Sequence, residues 1–169
     1  PLAALGASAR IMAHFDKAIV GSENWLMQLG TLSGNPVASA AGLKTMEVLR
    51  RPGQYDRLRD LGQTLMDMQS AALNERGIAH RVCGDTTLFD IYFTKTNPVD
   101  YRTAKHGDPK VNEVWNSALR AKGVFKSPGK LYPSLALNPE DLEVTNSAFQ
   151  DAANAVSDYL GGTDRAARS

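Results

Sequence analysis

The 169 residues carry a net charge of +1, with 43% hydrophobic and 22% charged residues, the balance of an ordinary globular domain and not of a disordered chain. A charge so near zero gives no electrostatic reason to expect nucleic acid or a membrane surface as partner. The single cysteine, Cys83, cannot form an internal disulfide, and no apolar run approaches the ~18 residues a bilayer span requires, so a cytoplasmic location is the expectation.

In chain order, the opening Pro1-Leu2-Ala3-Ala4-Leu5-Gly6-Ala7 lacks the basic flank of a signal peptide and reads as the cut end of a longer chain. Residues 10–20 predict a helical turn running into an extended segment, and residues 21–33 a loop. Asn35 is a helix cap and Pro36 suits the first helical position, so a helix is predicted over 37–49, closed by Arg50, Arg51, Pro52 and Gly53. Its small residues (Ala38, Ser39, Ala40, Ala41, Gly42) predict burial against something large. Leu58, Leu61, Leu65, Met68 and Ala72 recur at steps of three and four, the apolar stripe of a second helix, which Gly77 ends. Extended runs at 78–83 and 87–94 flank a turn at Gly84-Asp85. Residues 95–110 read as a loop. Val111, Val114, Trp115, Ala118 and Leu119 mark a third helix, closed by Gly123, and short strands are predicted at 124–125 and 131–137. Asn138-Pro139-Glu140-Asp141 starts a last helix with Leu142, Phe149, Ala152, Ala153, Val156 and Leu160 toward the core. Gly161-Gly162 are predicted to end it, leaving 163–169 as a polar tail. After residue 53 the order is α-β-β-α-β-β-α, an α+β domain.

Among residues that can carry chemistry, Gly30-Thr31-Leu32-Ser33-Gly34 precedes a capped helix. Glycines flanking hydroxyl residues at a helix start can present N–H and O–H donors to a phosphate. The same pattern is commoner in plain loops, and by itself leaves both readings open. His14, His80 and His106 are far apart and lack metal-ligand spacing, so no metal site is expected. Cys83 falls in a predicted strand as a buried, inert thiol. Trp25 and Trp115 read as packing residues.

The string GTLSGNPVASAAGLKTMEVL, Gly30 to Leu49, resembles the segment that class III aminotransferases carry after their catalytic lysine, especially the glutamate-1-semialdehyde aminomutase-like members. The opening Pro1-to-Ser8 stretch with Arg10-Ile11-Met12 is similar to the Pro-x-x-Ala-x-Gly run that follows that lysine. Gly123-Val124-Phe125, Ser134-Leu135-Ala136 and Asp141-Leu142 resemble the family's last strands and final helix. The resemblance covers Pro1 to Leu160, and its first 50 residues are the specific part.

It implies an α/β fold, the C-terminal part of a fold type I enzyme that uses pyridoxal 5'-phosphate (PLP). Residues 1–34 would end the PLP-binding large domain, 35–52 form an interdomain helix, 53–160 a small α+β domain and 161–169 a polar tail. It further implies that Gly30 and Thr31 bind the PLP phosphate of a neighbouring subunit, in a homodimer with shared active sites. The Schiff-base lysine and the aspartate that pairs with the pyridine nitrogen would precede Pro1. None of Lys17, Lys44, Lys95, Lys105, Lys110, Lys122, Lys126 and Lys130 stands in a matching context, so this polypeptide by itself is expected to be inactive. Leu137 stands where many relatives have a histidine. Lys126, Ser127 or Lys130 could meet a substrate carboxylate, though solvated lysines flanking a turn are the commoner case. The implied activity is amino-group transfer between an amino donor and a keto acceptor. An amino-acid racemase or epimerase, or a non-catalytic dimerisation or binding module, remain alternatives.

Overall fold

The computed structural model describes residues 3–166. Its contacts divide the chain into two units, Pro1–Pro52 and Gly53–Ser169.

The first unit is helical. Helix α1 spans Ala9–Met12, a 3-10 turn follows at Ala13–Phe15, and α2 spans Lys17–Asn24. The extended segment predicted before residue 20 is therefore helix. Asp16 caps it by accepting from the Ala18 N–H at 2.9 Å, a local bond that outweighs the β-branched pair Ile19-Val20. The helical path breaks at Gly21 (φ 75°), which only glycine enters without strain. Helix α3, Pro36–Leu49, starts as predicted: Asn35 accepts from the Ala38 N–H at 3.0 Å and Pro36 opens the first turn. No described side chain in this unit is fully buried. Leu26, Met27, Leu29, Leu32, Val37 and Leu43 all stand exposed, and the small-residue face of α3 is at most half-buried.

The second unit holds the core. Helix α4, Gln54–Asn74, turns Leu65, Gln69, Ala72 and Leu73 inward. Strands β1 (Arg81–Asp85) and β2 (Leu88–Tyr92) form an antiparallel hairpin that pairs Asp85 with Leu88, so the turn is Thr86-Thr87, two residues later than predicted. Gly84 lies inside β1 at φ 128°, where a Cβ would collide with the Leu88 carbonyl and the Phe89 backbone. A short helix α5, Tyr101–Ala104, interrupts the predicted 95–110 loop. It stands on a capping box in which Asp100 accepts from the Thr103 N–H at 2.8 Å and the Thr103 hydroxyl reaches back, a signal for a helix start. Helix α6, Pro109–Ala121, is capped by Asp108. Helix α7 runs from Pro139 to Ala166, opened by reciprocal Asn138–Asp141 bonds of 3.0 Å each.

The strands predicted at 124–125 and 131–137 do not form. Leu131 alone touches the sheet, through a bridge to Phe89. Pro133, two residues on, has no N–H with which to continue a ladder. The last helix does not stop at Gly161-Gly162. Glycine raises the cost of a helical residue by roughly 1 kcal/mol but leaves its hydrogen bonds intact, and the Thr163 hydroxyl donates to the Leu160 carbonyl at 2.8 Å. The order after residue 53 is thus α-β-β-α-α-α, a mixed α/β architecture.

Helix α7 packs on both α4 and α6, burying Ala148, Phe149, Ala152, Ala153 and Val156 along one stripe. Trp115 of α6 stacks on Phe149 with ring centroids 5.8 Å apart and meets Phe93 edge-on at 6.0 Å. Helix α4 approaches the hairpin turn so closely that a Cβ on Gly62 would overlap the Thr86 carbonyl. Gly62→Ala is therefore expected to destabilise the protein by about 1–3 kcal/mol through overpacking, against the usual gain of about 0.5–1 kcal/mol for replacing a helical glycine. Gly161→Ala, whose Cβ would meet open space, should show that gain. Urea unfolding of both variants checks the opposite signs.

Candidate functional site

The Gly30–Asn35 segment is a compact double turn. The Ser33 N–H donates to the Gly30 carbonyl at 2.9 Å and the Asn35 N–H to the Leu32 carbonyl at 3.1 Å. Gly34 holds φ 72°, the left-handed conformation that releases the chain into α3. The approach to the loop is tied down locally. The Trp25 indole N–H donates to the Phe15 carbonyl at 3.3 Å, the Leu26 N–H donates to the His14 carbonyl at 2.8 Å, and Lys17 Nζ lies 5.5 Å from the Trp25 ring centroid.

That packing leaves donors free. The N–H groups of Thr31, Leu32 and Gly34 find no acceptor among the described residues, and Thr31 and Ser33 keep exposed hydroxyls. A Cβ at position 30 would press on the Ser33 hydroxyl oxygen, so Gly30 leaves that group free to turn. These residues line a cavity of about 720 Å³ with Met12, Phe15 and Gln28, and no carboxylate lines it. Unpaired N–H and O–H donors at the start of a 14-residue helix, with no anion beside them, suit a dianionic phosphate. The donor set fits the phosphate end of PLP. No lysine lines the cavity; Lys17 lies over Trp25 and Lys44 pairs with Glu47 at 2.8 Å.

A second cluster lies in the other unit. Lys126, expected to be a solvated turn lysine, instead has a side chain only 5% exposed, with Nζ 3.0 and 3.1 Å from the two Asp90 oxygens and 3.0 Å from the Ser127 carbonyl. Asp90 interrupts the apolar run Leu88–Phe93 at mid-strand. Phe89 and Ile91 turn into the core, so alternation puts Asp90 on the opposite face, yet it too is buried. Burial pushes its carboxyl above the usual carboxylate range, although Lys126 and the Ile91 N–H act against that shift. A lone aspartate inside an apolar strand was the available signal for this pair.

The other candidates separate. Lys130 and Ser127 meet as a single bridge at a turn. His14 Nδ1 lies 2.8 Å from the Asn24 carbonyl, and His80, buried, has Nδ1 2.9 Å from the Ile78 carbonyl. No cluster of metal-binding side chains occurs among the described residues. Cys83 is only half-buried, not fully buried as expected, and burial raises its thiol more than Arg81 lowers it. Trp115 is a core residue, as expected. Among the described residues no helix is long and apolar enough to cross a membrane.

Known structures share this architecture. An omega-transaminase from Sphaerobacter thermophilus superposes with a TM-score of 0.71 and 30% identity, over 89% of this chain and 34% of that one. A transaminase with PLP bound aligns with a TM-score of 0.65 and 22% identity, over 89% of this chain and 34% of its own. The fold is that of the C-terminal part of PLP-dependent transaminases. In sequence, the chain is 34% identical over 168 residues to glutamate-1-semialdehyde 2,1-aminomutase of Propionibacterium freudenreichii, covering 97% of this chain and 36% of that relative. No family model matches. The chain is a homologue of the glutamate-1-semialdehyde 2,1-aminomutases and of the transaminases, and spans about a third of the length of the curated relatives it matches.

Asp90→Leu with Lys126→Met, which removes the buried pair whole, is expected to be near neutral in stability. The pH dependence has a definite sign. A carboxyl raised on folding contributes most below its ordinary range, and that contribution is lost as pH rises through the raised value. Wild-type stability should therefore climb less steeply from pH 3 to 7 than that of Asp90→Asn, as thermal unfolding across that range would record.

Proposed function

We propose that the protein to which this chain contributes carries out PLP-dependent amino-group transfer, as a transaminase or a glutamate-1-semialdehyde aminomutase-like enzyme acting on an amino acid or amine. The observation that carries this is the donor-rich Gly30–Asn35 loop ahead of a capped helix, in a chain homologous to both kinds of enzyme. When bound, PLP supplies an electron sink that lets an amino group leave one carbon and be installed on another.

Gly30 and Thr31 are the proposed phosphate ligands. The Thr31 hydroxyl and N–H donate to phosphate oxygens, the glycine admits the phosphate close to the backbone, and the positive end of α3 lies beside the added charge. Met12, Phe15 and Leu32 line the same cavity. The proton-moving lysine is proposed to lie outside these 169 residues. Residues 1–34 are assigned to the end of the large domain, 35–52 to an interdomain helix and 53–160 to a small domain; the division of contacts at Pro52 and Gly53 supports the second boundary.

The partners proposed are an amino donor, a keto acceptor and a second copy of the chain. The exposed apolar residues of the first unit (Leu26, Met27, Leu29, Leu32, Val37 and Leu43) support a covered surface there, against the remainder of the large domain or a second copy. In such a homodimer each active site takes its Thr31 from the other subunit. A cytoplasmic location belongs to the same reading.

Thr31→Ala in the complete enzyme is expected to weaken PLP retention by about 1.5–3 kcal/mol, the range for a hydrogen bond to a charged group. Equilibrium dialysis against PLP measures it, and an unchanged dissociation constant would remove Thr31 from the site. Formation of keto product in step with consumption of amino donor separates transfer from racemisation.

A further inference from the structure

The second unit holds an open cavity of about 720 Å³ that shares no residue with the Gly30–Asn35 loop. Its walls come from the end of α4, the chain after β2, the start of α6 and the late turns of α7. Arg76 is its best-fixed member. Nε donates to Asn154 Oδ1 at 2.6 Å, and Nη1 donates to Gln150 Oε1 at 2.7 Å and to the Ala72 carbonyl at 2.8 Å. The guanidinium is thereby held against both α4 and α7, while Nη2 finds no acceptor among the described residues. Glu75 lies 3.4 Å from Nη1, but its side chain is 61% exposed and does not line the cavity. An exposed pair of that kind contributes little.

Two further nitrogen-bearing side chains line the same space, Lys95 and His106. Both are exposed, and neither enters an ion pair among the described residues. Their backbone is tied down: the Lys95 carbonyl accepts from Arg81 Nη2 at 2.9 Å, and the Asp108 N–H donates to the Phe93 carbonyl at 3.1 Å. Asp108 is the one carboxylate among the described lining residues. Its Oδ1 already accepts the Lys110 and Val111 N–H groups, at 2.9 and 3.1 Å, as the cap of α6. Two permanent cations, Arg76 and Lys95, therefore stand against one engaged carboxylate. Ser157 adds a hydroxyl from α7, and Phe93 and Leu160 add apolar wall. A fixed guanidinium edge with an ammonium and a hydroxyl is a donor set for phosphate, and the space left over, with its apolar wall, admits an organic body.

We propose that this cavity binds a phosphate monoester with a small apolar or aromatic body, its phosphate held by Arg76 and Lys95. The proposal does not rest on the amino-transfer reading.

The test is calorimetric titration of the complete protein, loaded with PLP and freed of excess cofactor, at fixed ionic strength. Phenyl phosphate is the probe, and inorganic phosphate and phenol present its head and its body alone. Saturable binding of phenyl phosphate is expected, about tenfold weaker for inorganic phosphate and absent for phenol. Lys95→Met should weaken the ester about tenfold, the scale of one charge-assisted contact, and Ser157→Asp, which sets a carboxylate on the wall, should remove the binding. Both positions are exposed, so both variants are expected to fold and to retain PLP as the wild type does. Absence of saturable binding overturns the site, and unchanged affinity in both variants overturns its location. Equal affinity for inorganic phosphate and the ester overturns the choice of an ester. A protein that retains no PLP would contradict the amino-transfer reading instead, and the two variants would still decide the cavity.

Discussion

Trp115 is the point on which the second unit turns. Its indole lies flat on Phe149 and edge-on to Phe93, so one side chain fixes α6 against α7 and both against the strand side of the core. All three rings are buried, and aromatic contacts of this kind contribute about 0.5–1.5 kcal/mol beyond the area they bury. Helix α4 closes the other flank of α7, and its approach to the hairpin turn is tight enough that Gly62 must be a glycine to clear the Thr86 carbonyl. Once Phe93 and Phe89 point inward, the two-residue period of β2 leaves Asp90 on the opposite face. The aromatic cluster thereby determines where the buried carboxylate stands, and with it where Lys126 and the 124–132 loop are held.

The first unit obeys a different constraint. It has good caps and a well-formed α3, but no described side chain in it is fully buried. Local hydrogen bonding shapes it: Asp16 and Asn35 start helices, Gly34 turns the chain, and Trp25 and His14 tie down the approach. Such interactions set a conformation without supplying much hydrophobic stabilisation. The exposed leucines and methionines are the counterpart of that deficit, and the N–H groups of Thr31, Leu32 and Gly34 find no acceptor among the described residues.

Legibility in the sequence follows the range of the forces involved. Caps and helical stripes act over three or four residues, so Asn35-Pro36, Asn138-Pro139 and the Leu58–Ala72 periodicity all read correctly. The Asp100–Thr103 box is as local as these, and its four-residue helix was hidden only by the prolines around it. The hairpin turn was misplaced because Gly84 resembles a turn residue, while its actual reason is the backbone of β2 passing close by, a contact no neighbouring residue announces. Residues 131–137 have strand-like composition, but a strand needs a partner with a matching ladder, and Pro133 withholds it. Thr31 was legible as a candidate because the phosphate-friendly pattern is contiguous. The Lys126–Asp90 pair was not, since its members are 36 residues apart and each alone resembles a surface charge.

By itself the sequence determined where helices begin, which helix faces are apolar, and that Gly30 and Thr31 stand at the head of a capped helix, because each depends on residues within a turn of one another. Only the tertiary structure decided that the sheet has two strands, that α7 runs through its glycines, and that Lys126 lies buried against a carboxylate instead of in water. Those outcomes depend on which distant backbone or charge a residue meets, and burial turns an ordinary surface lysine into a fixed element of the fold.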